Sequence, residues 1–442
     1  MGPSIAVAIW WGGALVHSRP MRYVRLLKAS GRHVELLAFS ASTSKAAIMT
    51  QTRYYLLRMA GVATLLAAPM VSATSGLLNP ASASTPCPGG AIVVSTAADS
   101  GTGSMRAAFA AATTANGGTI CVDATVVTSP ISVTSGVLTY SGSGALTIDG
   151  NGATLQGDHS SGIITDTVSG QLLKIDSVTI TGGHASSGGA ISTGGGGPTT
   201  ISNSNITGNT ADNYGGGVSA SDVTIINTTI SNNTAGNGGG GGFSASTLSA
   251  INSTITGNSD PVDVGGGASV YSSITLVYTT VTDNTGTQGA NLELNSPSGV
   301  LTSFGSVVAS PHGATNCHQA SAVSHGYNFS DDATCGFTNT AQGDQQTAGD
   351  PGLGALANNG GPTPTRAPNT GSLLLDAIPT AACQADGATG ITTDQRGVTR
   401  PQQGGCDIGS VEIVAPPVST TTTGLPSATT PTPVAATPAF TG

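Results

Sequence analysis

VTITGG at residues 178–183 returns as SNITGN at 204–209, NTTISNN at 227–233, NSTITGN at 252–258 and TTVTDN at 279–284. The central apolar residues are Ile180, Ile206, Ile230, Ile255 and Val281, separated by 26, 24, 25 and 26 residues. A second phrase keeps the same register: GGAI ending at Ile191, GGGV at Val218, GGGF at Phe243, GGGA at Ala268 and GANL at Leu292. Two markers in step over Val178 to Leu294 define a repeat of about 25 residues, and short β-branched runs broken by Gly and Asn define its conformation. Such a unit buries its apolar face only by stacking on its neighbours, which makes a solenoid.

Working outward, VLTYS, ALTID, ATLQG, IITDT and LLKID carry short alternating strands back to Ile131. Strands this short, with no helices between them, run parallel only by coiling. The expected fold is all-β: a parallel β-helix, right-handed by the chirality of parallel crossovers. Ile180, Ile206, Ile230, Ile255 and Val281 are expected to form one interior column. Asn209, Asn233, Asn258 and Asn284 each follow a column residue by three. They are expected at turns, with left-handed backbone and side chains bonded in a ladder. Upstream, Ser104 is placed to cap a helix over Met105 to Ala115, stopped by Asn116-Gly117, as a lid on the first coil.

Charge is divided unevenly. Eight of the 13 Lys and Arg precede residue 60, with one acid, Glu35; the rest of the chain has 13 − 8 = 5 bases and 22 − 1 = 21 acids, net −16. Such a surface repels phosphate backbones, so nucleic acid is not an expected partner. Residues 49–83 have the order of an export signal: Arg53 and Arg58, an apolar run from Met59 to Val71, then Ala81-Ser82-Ala83, predicting a mature start at Ser84. Residues 1–48, with Trp10 and Trp11, then read as an extension from a start codon called too early, with Met49 or Met59 as the true start.

All six cysteines, Cys87, Cys121, Cys317, Cys335, Cys383 and Cys406, follow the signal, and an even number in an exported chain indicates disulfides. Pairing of neighbours is the expectation among the connectivities that six cysteines allow: 87 with 121, 317 with 335, 383 with 406. No CxxC or zinc-spaced Cys/His pair occurs, His318 beside Cys317 reads as incidental, and no cofactor is expected. The domain reading is 84–130 as N-terminal cap, 131–309 as β-helix, 310–415 as a last coil plus a loop-rich cap, and 416–442 as a Pro/Thr-rich extended tail. The tail ends in PAFTG, which resembles a sortase LPxTG signal with Leu replaced and without a following apolar span.

The GGA[I/V] and [I/V]xxN phrases resemble repeats of chlamydial polymorphic outer-membrane proteins and of bacterial β-helix surface proteins, although those outer-membrane proteins favour Phe where this chain has Ile or Val. Further on come TNCHQASAVSHGYNFSDDATCGF from Thr315, GDPGLGALANNGGPTPTRAP, GSLLLDAIP and TDQRGVTRPQQGGCDIGSVE. Together these resemble a choice-of-anchor Q domain over residues 310–412. The resemblance implies that Asp376, Asp394, Arg396, Arg400, Asp407 and Glu412 are the module's signature polar residues. From the residues alone, they read as internal ion pairs fixing a cap.

Parallel β-helices also host polysaccharide lyases and hydrolases, whose chemistry needs converging carboxylates or a base beside calcium-binding acids. The coils from 131 to 305 hold one base, Lys174. The densest polar group is Asp149, Asp158, His159, Asp166, Asp176 and His184, in which Asp158, His159, Asp176 and His184 are placed to share a face. Asp260 and Asp263 read as a solvated loop, with a calcium clip as the alternative. Tyr214, Tyr271 and Tyr278 are the aromatic candidates for glycan contact, Tyr278 with an inward option. The expectation is an exported, non-enzymatic cell-surface or secreted protein in adhesion or envelope interaction, partnered by a surface glycan or protein. A polysaccharide lyase or hydrolase and a structural envelope spacer are the alternatives, and no membrane span is expected in the mature chain.

Overall fold

The computed structural model describes residues 86–414, apart from Gly195, Gln319, Ala320 and Asp386, together with the strands Ala14–Val16, Arg19–Val24 and Leu37–Phe39. Those three strands pair antiparallel in a unit of their own, within Met1–Val71. The export signal, the cleavage site, the tail after Val414 and both tryptophans lie outside the described residues.

Residues 86–346 wind into a parallel β-solenoid of about nine turns, with a single α-helix among the described residues. Each turn contributes one strand to each of three ladders, called faces A, B and C. Face B contains the expected column. Ile131, Leu155, Ile180, Ile206, Ile230, Ile255, Val281 and Val308 stand in register and are fully buried. Burying each contributes about 2 kcal/mol. The second phrase forms face C, where Ile164, Ile191, Val218, Phe243, Ala268, Leu292 and Cys317 align. Face A runs through Ile120, Ile148, Ile175, Ile201, Ile225, Ala250 and Leu276. The ladders extend past 131–309 at both ends, from Ile92 to Gln346, because strands without the Gly/Asn phrases still pair in register.

The left-handed corners fall one step away from the expected asparagines. Before face B, the positive-φ residues include Ser177, Asn203, Asn227, Asn252, Tyr278 and Gly305; after it they include Gly182, Gly208, Asn232, Gly257, Asp283 and Ser310. Asn209, Asn233, Asn258 and Asn284 have ordinary backbone, and their side chains make the ladder. Asn209 Nδ2 donates to Asn233 Oδ1 (3.0 Å), Asn233 to Asn258 (2.9 Å) and Asn258 to Asn284 (3.0 Å). Each amide also donates to the carbonyl of the column residue one turn before, as Asn233 does to Ile206 (2.9 Å). An amide offers two donors and two acceptor sites, so a buried stack of them satisfies itself. Gly and Asn at the preceding positions relieve the steric cost of the turn.

The helix Met105–Ala115 closes the N-terminal end. Ser104 Oγ accepts from the Ala107 amide, and Asn116 ends the helix at φ 63°. Met105, Ala108, Phe109 and Ala112 enter the interior cluster. The disulfides pair Cys87 with Cys121, Cys317 with Cys335 and Cys383 with Cys406. Phe337 and Cys335 join the interior cluster at the other end.

The loop-rich residues 351–412 also do something a cap does not: they fold back along the outside of face B. Thr229, Thr254 and Thr280 occupy one outward row of that face. All are buried there by partners more than 120 residues away. Gln395 Nε2 donates to Thr229 Oγ1 (2.8 Å), Thr254 Oγ1 to Gln395 Oε1 (2.7 Å), and the Ser410 amide to Thr280 Oγ1 (3.0 Å). A second hydrophobic cluster seals the seam with Tyr278, Phe304, Phe329, Ile378, Ile391 and Ile408.

Candidate functional site

Asp376, Asp394, Arg396, Arg400, Asp407 and Glu412 of the carboxyl-terminal segment form one closed network. Arg400 Nη1 donates to Glu412 Oε2 (2.8 Å) and to the Asp407 carbonyl (2.9 Å), and Nη2 to the Gly409 carbonyl (2.7 Å). Its guanidinium lies 4.1 Å from the centroid of the Tyr278 ring. Tyr278 is held in the left-handed region that bulky residues rarely adopt. Its hydroxyl donates to the Cys383 carbonyl (2.6 Å), so this inward tyrosine is a joint between coil and module. Asp394 accepts from the amides of Arg396 and Val398 and pairs with the Arg396 guanidinium. Asp407 accepts from the Asp376 and Ile413 amides (both 2.7 Å), and Asp376 from the Gly404 and Gly405 amides. Burial pushes the Asp407 and Glu412 carboxyls up, with Arg400 opposing it. A charged cluster turned inward on itself fixes a fold and offers no open coordination to a ligand.

The polar group expected in the early coils does not converge. Asp149 and Asp176 end face A strands, where Asp176 accepts from Ser202 and Asn203; Asp166 is on face C, bonded to Gln171 Nε2 (2.6 Å). Burial raises Asp149 and Asp166. Asp158 is bonded to Ser160 in its own turn, whose hydrogen bonds hold it below the carboxylate range. The expected shared face forms only in part: His159 and His184 meet on adjacent turns, the His159 carbonyl 3.2 Å from His184 Nδ1, whereas Asp176 ends a face A strand. Asp260 is also a correction: it is fully buried, not solvated. It accepts from the Gly239 (2.8 Å), Asp263 (2.8 Å) and Val262 (3.2 Å) amides, which use the oxygens a calcium clip would need. Among the described residues, no three His, Cys, Asp or Glu side chains are grouped to hold a metal ion.

Two further side-chain pairs stand out, one on face C and one on the flank between faces B and C, where a small fourth ladder runs through His184, Thr210 and Thr234. His184 Nε2 meets Asp212 Oδ1 at 2.9 Å, and its Nδ1 meets the His159 carbonyl at 3.2 Å. Two acceptors around one ring favour the imidazolium, and the Asp212 contact, against partial burial, raises the His184 pKa. Further along, His318 Nδ1 meets both Glu293 oxygens at 3.0 and 2.9 Å. Glu293 is buried and its carboxyl raised by that burial, with His318 opposing. His318 is therefore engaged in a cross-coil pair. The signal was its separation of 25 residues from Glu293, one turn of the repeat.

Tyr214 and Tyr271 are half exposed, at 50% and 55%. Tyr271 stands in the strand Ala268–Val277 where it passes from face C to face A. Tyr214 ends the strand Thr210–Tyr214, two residues beyond Asp212, and the pairing with the previous turn shifts register between Ala211 and Tyr214. No protein-family model, curated protein or solved structure matches this chain. Among the described residues, no helix is long and apolar enough to cross a membrane.

Proposed function

We propose that this is an exported surface or secreted protein that works by binding, in adhesion or envelope interaction, and catalyses no reaction. The observation that carries this reading is the inward closure of the Asp394–Arg396–Arg400–Asp407–Glu412 network. These groups hold residues 351–412 on the rod instead of facing a substrate. Three disulfides and no free cysteine support an oxidising compartment. The repeat phrases, similar to those of chlamydial outer-membrane proteins, and the choice-of-anchor Q-like phrases support display at a cell surface.

The second reading, a polysaccharide lyase or hydrolase, has the buried Glu293 and its His318 partner in its favour, since a raised carboxyl beside an imidazole is a feature of acid–base sites. Incubating the exported protein with acidic and neutral polysaccharides, and recording retention together with new reducing ends or unsaturated products, separates the two. Retention without products is the expected outcome, and products overturn it.

A further inference from the structure

We propose that the flank carrying His184, Asp212 and Tyr214 is a binding site for a neutral saccharide; this rests on the binding function above and names where and what it binds. The Tyr214 ring has a built support. A Cβ placed on Gly238, one turn further along, would fall 2.5 Å from the ring, so the phenol lies flat on bare backbone. Gly238 at φ 118° tolerates no side chain without strain, which keeps that shelf clear. One ring face is thus fixed and the other is free, which is what stacking against the apolar C–H face of a pyranose requires.

Asp212 and Asn213 precede the platform residue in the same strand. Asp212 is 66% exposed at its side chain, and His184 holds its Oδ1 at 2.9 Å, leaving Oδ2 to accept from a sugar hydroxyl. Asn213 Nδ2 is tied to Ser186 Oγ at 3.0 Å, so its Oδ1 is oriented as a further acceptor. An aromatic surface with a few fixed hydrogen-bonding groups at its edge is the usual composition of a small-ligand site. The net of −16 past residue 60 sets the ligand's charge, because acidic saccharides are repelled. Size argues against a protein partner. A stable interface takes about 800 Å² from each side, and among the described residues only Tyr214 and Val262 are large exposed apolar side chains on this flank.

The test is calorimetric titration of the full exported protein with neutral hexasaccharides of glucose, galactose and mannose, with galacturonate oligomers for comparison. A neutral oligosaccharide is expected to bind. Tyr214→Ala should weaken it about tenfold and Asp212→Asn by a few-fold, with Tyr214→Trp retaining it. Both side chains are at least half exposed, so each variant should remain folded at the titration temperature, which circular dichroism checks. Neutral binding that survives Tyr214→Ala overturns the site, and preference for galacturonate overturns the ligand class. Retention on intact envelope material without oligosaccharide binding overturns this inference and leaves the general binding function standing. No retention on either removes both.

Discussion

Replacing Arg400 with Ala should release residues 351–412 from the rod without unwinding the coils. Arg400 and Glu412 are each 1% exposed at their side chains. Deleting the guanidinium leaves the Glu412 carboxylate buried without its charge partner, with only the Gln402 and Asp407 amides donating to it, and takes the Arg400 donors from the Asp407 and Gly409 carbonyls. Breaking a buried pair in this way costs about 3–5 kcal/mol, and the lost stacking on Tyr278 adds about 1 kcal/mol. The interior column touches none of these groups, so the loss should be confined to the seam. Thermal unfolding should show an early transition for the module ahead of an unmoved solenoid transition, and limited proteolysis should cut within 351–412 first. The defect should shrink on acidification. Burial already raises Glu412. A carboxyl raised in the folded state contributes stability below its unfolded value, near 4.3, that is lost as pH rises through the folded value. Removing Arg400 takes away the opposing influence and widens that window upward. A single unshifted transition, or one whose defect deepens as pH falls, would refute the reasoning.

The ladder, the disulfides and the N-terminal lid give three further expectations. Asn258→Leu leaves the Ile230 carbonyl and the Asn233 and Asn284 amides with unmet groups in a fully buried position, and denaturant unfolding should report a loss of about 3 kcal/mol. Opening the Cys87–Cys121 bridge, 34 residues apart, should lower stability by about 3–4 kcal/mol on the loop-entropy account, read as the shift between intact and Cys87→Ser/Cys121→Ser protein. Burial works against ionisation of Asp99, but hydrogen bonds from Ser135, Arg106 and Thr134 outweigh it and hold the carboxyl well below the usual range. A lowered carboxyl contributes stability present above its unfolded value, near 3.9, and lost as pH falls through the folded one. Amide exchange in the helix Met105–Ala115 should therefore accelerate only below about pH 4, and Asp99→Asn should flatten that response.

The interior of the rod was legible because it is periodic. An Ile column at intervals of 24 to 26 residues has one solution, and faces B and C carry the two repeated phrases in register. The corners were legible in kind but displaced in place. Asn serves both as a left-handed residue, at Asn227 and Asn252, and as a ladder amide, at Asn233 and Asn258, and composition does not separate the two roles. The fold-back of residues 351–412 had no local signal. Outward Thr229, Thr254 and Thr280 look like solvent-facing strand residues, and their partners Gln395 and Ser410 come 130 or more residues later. The flank needed both levels: Tyr214 and His184 were visible as candidates, but Asp212 gains its partner and Tyr214 its glycine shelf only when turns 24 to 28 residues apart are stacked.

The central structural claim is that the chain's own carboxyl-terminal segment covers part of face B and leaves the same row open upstream. Thiol labelling at two positions of that row tests it most directly. Thr179 and Thr254 stand two and one rungs on either side of Thr229 in one ladder, Thr179 half-buried and Thr254 beneath the module. Thr179→Cys should react promptly with an alkylating reagent in the native protein. Thr254→Cys should stay protected until the module is released by Arg400→Ala. Equal labelling of the two in the native protein would contradict the account.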